Sequence, residues 1–174
     1  VYVDQWDWEK VITKEERTEA MLEETVRTIF KVIKHMEHEI WYKYPQAVCH
    51  LANDVFFIDS QELEDMYPDL SPKEREDAIT KEKKCVFIKR IGHALKHSGK
   101  PHDGRAPDYD DWNLNGDLFF WLPSLERALE ISSMGIRVDE NSIIEQCRIR
   151  NAEERLHYPY HQMIQNCELP YTIG

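Results

Sequence analysis

From Asp117 to Val138 the chain reads DLFFWLPSLERALEISSMGIRV, two apolar runs separated by a break at Pro123-Ser124. This stretch restricts the fold more than any other. Residues 118–122 and 128–138 have strand length and strand composition, and the Pro-Ser break favours a turn between them. Two such strands cannot bury their faces alone, so they predict an antiparallel sheet with helices packed on it. Polar residues interrupt the apolar runs. Asp117 opens the first, Glu130 lies in the second, Ser132-Ser133-Met134-Gly135 follows, and Arg137 closes. Two carboxylates can ligate Mg²⁺, an arginine can fork onto a carboxylate, and small residues let a ligand approach the backbone. The pattern suits a site that holds a metal-bound triphosphate beside a carboxylate. Whether Asp117 and Glu130 converge depends on the register of the hairpin, and two surface acids are an equal alternative. Arg137 lies between Ile136 and Val138, and an arginine on such a strand needs an acidic partner, either a ligand or an internal Asp or Glu.

Elsewhere the chain mixes strands and helices without a βαβ rhythm, which favours an α+β fold. Residues 1–8, VYVDQWDW, alternate as a strand, with Val1, Val3, Gln5 and Asp7 on one face and Tyr2, Asp4, Trp6 and Trp8 on the other. Thr13 and Glu16 fit a capping box opening a helix whose apolar stripe is Leu22, Val26, Ile29, Ile33, Met36 and Ile40. The stripe stops before Trp41 and Pro45, so packing on a sheet is favoured over a coiled coil. Residues 55–58 and 85–88 read as buried strands. Asp59 with Glu62 and Ser71-Pro72 with Glu74 mark two helix starts, and residues 139–151 and 160–167 read as helical. Residues 92–116 read as a long polar loop, a length that is uncommon without a function.

The formal charge of −11 argues against a broad nucleic-acid or anionic-membrane surface, but leaves room for a local anion site. Cys49, Cys85, Cys147 and Cys167 form no CxxC pair, and no apolar run is long enough to span a bilayer, so a reducing cytoplasm is the expectation. His93 and His97, like His157 and His161, stand four apart, but without HExxH a zinc site has little support. Walker, nucleophile-elbow and Rossmann glycine patterns do not occur.

Gln5 and Asp7 could grip an amino group from one strand face, or could simply face solvent with the tryptophans inside. In RAPDYDDW (105–112), Asp108, Asp110 and Asp111 could bind metal or ribose hydroxyls, or form a solvated acidic loop. The offsets of an EF-hand are not met.

With these residues in view, the chain closely resembles the ammonia-dependent asparagine synthetase (aspartate–ammonia ligase) family. The matching stretches are VYVDQWDWEKV (1–11), DSQEL and YPDL within 59–70, RAPDYDDW (105–112), LNGD (114–117), LEISSMGIRVD (129–139) and TIG (172–174). That family in turn resembles the catalytic domain of class II aminoacyl-tRNA synthetases, above all the aspartyl enzyme. The resemblance implies an antiparallel sheet flanked by helices, a homodimer, and the conversion of L-aspartate, ammonia and ATP to L-asparagine, AMP and pyrophosphate. By position, it implies that Gln5 and Asp7 contact aspartate and the incoming nitrogen, Asp7 helping to place ammonia. It implies that Arg137 holds a substrate carboxylate with help from Ser133. Asp110, Asp117, Glu130 and Ser132 would serve ATP, with Asp117 and Glu130 on Mg²⁺, and the backbone near Val3 would lie by the nucleotide.

Against the family pattern, an N-terminal part, a longer loop after Trp112 and a glycine-rich C-terminal motif are missing. The expectation is therefore a single catalytic domain, 1–174, excerpted from a longer protein. Two alternatives carry forward: a class II synthetase-like enzyme that charges tRNA with aspartate or asparagine, and a non-catalytic relative.

Overall fold

The structure, a computed structural model, describes residues 5–174. The core is the predicted hairpin: β4 (Asp110–Leu122) pairs antiparallel with β5 (Arg127–Arg137) around the turn at Pro123-Ser124. β3 (Cys85–Lys89) pairs antiparallel with β4, and β2 (Phe56–Asp59) forms the far edge. On the other side β5 meets β6 (Tyr171–Ile173), which pairs antiparallel with β1 (Lys10–Ile12). The sheet order is β1-β6-β5-β4-β3-β2.

The sheet is mixed. The expected antiparallel pairing holds throughout except between β2 and β3, which run parallel. A parallel neighbour needs a crossover of about a dozen residues or more. Here α2 (Ser60–Met66) and α3 (Pro72–Lys83) supply it, each starting at the capping box read from the sequence, Asp59/Glu62 and Ser71/Glu74.

The N-terminal expectation also changes. Residues 1–4, with Val3, lie outside the described residues, and 5–9 form no regular element; the strand begins only at Lys10. Trp8 packs partly on the core, whereas Trp6 is 85% exposed. Thr13 and Glu16 do make a reciprocal box, the Thr13 amide donating to Glu16 at 2.7 Å and the Glu16 amide to Thr13 at 3.3 Å. That box closes a turn. The helix α1 (Glu19–Lys43) starts later, capped by Thr18, whose hydroxyl accepts from the Met21 amide at 3.2 Å.

α1 covers one face of the sheet. Leu22, Val26 and Phe30 pack against Phe87, Leu118, Phe120, Met134 and Ile136. Only the first half of the predicted stripe is buried; Met36 and Ile40 are 41% and 52% exposed. α2 and α3 cover part of the opposite face through Leu63 and Ile79, against Val86, Ile88, Phe119 and Ala128. These helices leave the β4–β5 end of that face free for polar residues. The long loop spans 90–109 and lies against that end, since β4 begins earlier than expected, at Asp110. α4 (Ser142–Ile149) and α5 (Pro159–Gln165), separated by a 3₁₀ turn at Glu153–His157, follow β5 as expected.

Candidate active site

Side chains alternate across a strand, so register decides which of the predicted residues meet. Asp117 is paired with Ser133, and Asp110 with Arg137. Ser133, Gly135 and Arg137 therefore share the face of Asp117, opposite α1. Glu130 would fall on the wrong face in a regular ladder, being three residues from Ser133. The ladder is not regular. Leu118 pairs with Ser132 and Phe119 with Glu130, so Ile131 is an extra, bulged residue. The bulge returns Glu130 to the face of Asp117. Ser132 pairs with Leu118 and so lies on the α1 side, which separates its side chain from the group predicted with it.

Asp117 is almost fully buried. Burial pushes its carboxyl up to about 6, Arg105 pulls it back, and the charge of Glu130 adds to the rise. Arg105 forms an ion pair with Asp117 and donates to the Ser133 hydroxyl at 3.0 Å. Its Nε is buried and has no partner among the described residues. Sequence reasoning did not single out Arg105, because a loop residue twelve positions from its partner leaves no periodic signal.

At the other end of the face, Arg137 pairs with Asp110 through one nitrogen. Through Nε and the remaining nitrogen it forks onto Glu9, at 3.0 and 2.7 Å. Its guanidinium lies 4.0 Å over the ring of Tyr109. The internal-acid alternative for the partner of Arg137 is thus the one present. Burial raises the Asp110 carboxyl, and Arg137 opposes that rise. Gly135 makes room for this pair: a Cβ there would lie 2.6 Å from Asp110 Cγ. Gln5 and Asp7 are exposed and outside any strand, so the shared strand face expected for them is not formed. Asp7 does approach this end, since its charge bears on the Tyr109 hydroxyl.

The three aspartates of 105–112 do not gather on one ligand, nor are they a solvated loop. Asp108 pairs with Arg155 and His161 at 2.8 and 3.0 Å. Asp110 takes Arg137, and Asp111 takes Arg17 at 3.0 Å. Gln146 on α4 fixes the segment, donating to the carbonyls of Pro107 and Asp110 at 3.0 Å each and accepting from the Trp112 amide at 2.8 Å. The loop before it is tied by Glu64. Burial would raise that carboxyl, but hydrogen bonds from His97 and Ser98 hold it down to about 2. Of the paired histidines, His97 meets Asp65 and His161 meets Asp108.

The donor set of Asp117 and Glu130, two carboxylates on one face with one nearly fully buried, fits a hard divalent cation such as Mg²⁺. The arginine at the far end fits a carboxylate.

A sheet that presents acids and an arginine on one face, with helices behind, places the chain in the class II aminoacyl-tRNA synthetase-like fold. Aspartyl-tRNA synthetase from Entamoeba histolytica superposes with a TM-score of 0.59 at 15% identity, over 95% of this chain and 36% of that one. Asparaginyl-tRNA synthetase from the same organism, in complex with asparaginyl-adenylate, gives 0.51 at 13%, over 95% and 39%. Within that class, the chain belongs to the aspartate–ammonia ligase family, whose model matches residues 1–174. It is 66% identical over 174 residues to the aspartate–ammonia ligase of Pediococcus pentosaceus, covering all of this chain and 52% of the relative. It is 67% identical over 173 residues to that of Levilactobacillus brevis, covering 99% and 51%. The chain spans about half the length of these curated relatives.

Proposed function

We propose that the whole protein converts L-aspartate and ammonia to L-asparagine through a β-aspartyl-adenylate, releasing AMP and pyrophosphate. Membership of the ligase family supports this. The observation that carries it in this chain is the placement of Asp117, Glu130, Ser133 and Arg137 on one open sheet face. A carboxylate resists ammonia because its leaving group is oxide. Attack of the β-carboxylate on the α-phosphorus of ATP expels pyrophosphate and makes a mixed anhydride. Ammonia then displaces AMP from the acyl carbon and loses a proton.

Asp117 and Glu130 would hold Mg²⁺. When bound, that ion offsets the charge developing on the phosphates. Arg105, relieved of Asp117, is free to turn toward anionic oxygens. Asp110 and the Tyr109 ring keep the Arg137 guanidinium in place, and a substrate carboxylate takes the position now filled by Glu9. Gln5 and Asp7, both exposed, would meet the amino group of aspartate and the incoming nitrogen. Ser133 assists the substrate from the strand, and Asp110 and Ser132 line the nucleotide side, the latter through its backbone. A homodimer and a cytoplasmic location belong to the same reading. Among the described residues no helix is long and apolar enough to cross a membrane.

The tRNA-charging alternative draws on the fold alone, and the charge of −11 gives it no basic surface. Buried acids paired to arginines on an open face are costly in a non-catalytic module. The test is the full-length protein with aspartate, ammonium, ATP and Mg²⁺, following AMP and asparagine together. Equal amounts of both, lost in Asp117→Ala and in Arg137→Ala, support the ligase. AMP without asparagine, or no turnover, overturns it.

A further inference from the structure

The outer half of α1 carries a second cluster of donors, on the side of the sheet away from the candidate active site. Glu37 and His38 on α1, and Cys49 in the segment that leads to β2, bring an oxygen, a nitrogen and a sulfur within 4.8 Å of one another. We propose that these three side chains form a surface site for a zinc-class transition-metal ion, with water completing the coordination.

The donor chemistry sets the class of ion. Thiolate, imidazole and carboxylate together suit Zn²⁺ and its neighbours, whereas Mg²⁺ and Ca²⁺ select oxygen alone. The geometry is close to what is needed. Bonds of about 2.0–2.3 Å place tetrahedral ligands roughly 3.3–3.8 Å apart. Closing the observed spacing takes a movement of about 1 Å, and His38 and Cys49 are exposed and free to make it.

The support behind the ligands is already in place. Glu37 Oε1 accepts from the amides of His50 and Leu51 at 2.6 and 2.9 Å. Oε2 accepts from Lys34 Nζ at 3.0 Å, and Lys34 donates again to the Leu51 carbonyl at 2.7 Å. A carboxylate offers about four lone-pair positions, so three donors leave one for a metal. These bonds tie the segment that carries Cys49 to the helix that carries the other two ligands. Little chain entropy remains to be lost when an ion arrives, and the partners that orient Glu37 play the part that outer hydrogen bonds play around metal ligands. The ion would fasten the exposed end of α1, where Met36, Ile40 and Trp41 stand clear of the core, and would protect the Cys49 thiol.

The test is titration of reduced, chelator-stripped full-length protein with Co²⁺ alone. A bound thiolate gives a sulfur-to-cobalt charge-transfer band with strong visible absorption, which the oxygen ligands of the other face cannot give. The expected result is a 1:1 band, displaced by Zn²⁺, absent in Cys49→Ser, and weakened at least tenfold in affinity by His38→Ala. Cys167→Ser removes the other exposed cysteine among the described residues and leaves the band intact. No band, a band that survives Cys49→Ser, or one lost in Cys167→Ser overturns the proposal. In the unmodified sequence, Zn²⁺ should also slow alkylation of Cys49 at least tenfold with Cys167 as internal reference; equal rates overturn it as well. None of these readouts depends on enzymatic activity.

Discussion

Asp117 and Glu130 share one face of the sheet because Ile131 is an extra residue in the pairing of β4 with β5. The bulge places a second acid beside one that is already buried. It explains why Asp117 holds its proton to about 6, burial being the larger cause and Glu130 a further one.

This coupling can be read directly. In Glu130→Gln the Asp117 carboxyl should titrate lower than in the unmodified protein, and in Arg105→Ala it should titrate higher. Carbon-13 carboxyl shifts followed against pH report both. An unmoved midpoint in Glu130→Gln would mean that the two acids are too far apart to share an ion.

A stability consequence follows with a definite sign. A carboxyl whose pKa is raised on folding contributes stability below its unfolded value. That contribution is lost as pH rises from 3.8 through about 6. The size at neutral pH is up to about 3 kcal/mol. Between pH 4 and pH 7, Asp117→Asn should therefore gain on the unmodified protein by an amount of this order in urea unfolding, without Mg²⁺ present. Added Mg²⁺ should stabilise the unmodified protein and leave the variant unmoved. A flat difference across that pH range would show that Asp117 is not strained.

At Arg137 the fork geometry matters more than the charge. Arg137→Lys keeps the charge and loses the bidentate grip, and such bonds are worth about 1–3 kcal/mol. The KM for aspartate should rise about 10- to 100-fold, with a smaller effect on the KM for ATP. Glu9→Gln removes the competing carboxylate and should lower the KM for aspartate. Steady-state kinetics on full-length variants separate these outcomes, and a raised KM in Glu9→Gln would make Glu9 a supporting residue instead of a placeholder.

Gly135 has no tolerance for a side chain. Its Cβ would meet Asp110 Cγ at 2.6 Å, and Asp110 holds Arg137. Gly135→Ala should destabilise by about 1–3 kcal/mol from overpacking and weaken aspartate binding together with stability. Gly104→Ala, where a Cβ meets nothing within 4 Å, is the control and should change neither property.

Much of the fold was legible because it rests on local signals. The hairpin, β2, β3 and the capped starts of α2 and α3 all announce themselves through run length and Ser/Asp–Glu spacing. The parallel β2–β3 pair was not legible, because two short helices make a crossover without the familiar rhythm. The start of α1 was displaced because two threonines compete as caps, and the Thr13 box closes a turn ahead of Thr18. In the site, Asp117 and Arg137 stood out as charges in apolar runs and Ser133 came from the family resemblance, while their meeting rested on the register of β4 with β5. Glu130 needed the bulge, Ser132 fell on the far face because it directly neighbours Ser133 on β5, and Arg105 was hidden by the loop that carries it. Gln5 and Asp7 were expected on a strand face that the described residues do not form.

The three residues of β6 link parts of the molecule far apart in sequence. β1 finds its strand partner among the described residues only in Tyr171–Ile173, and Glu9 immediately precedes β1. Without β6, β1 has no strand partner among the described residues, and the segment that carries Glu9 loses the strand that anchors it beside Arg137. The acid–arginine pair at the mouth of the site thus depends on β6, a strand far from Glu9 in sequence.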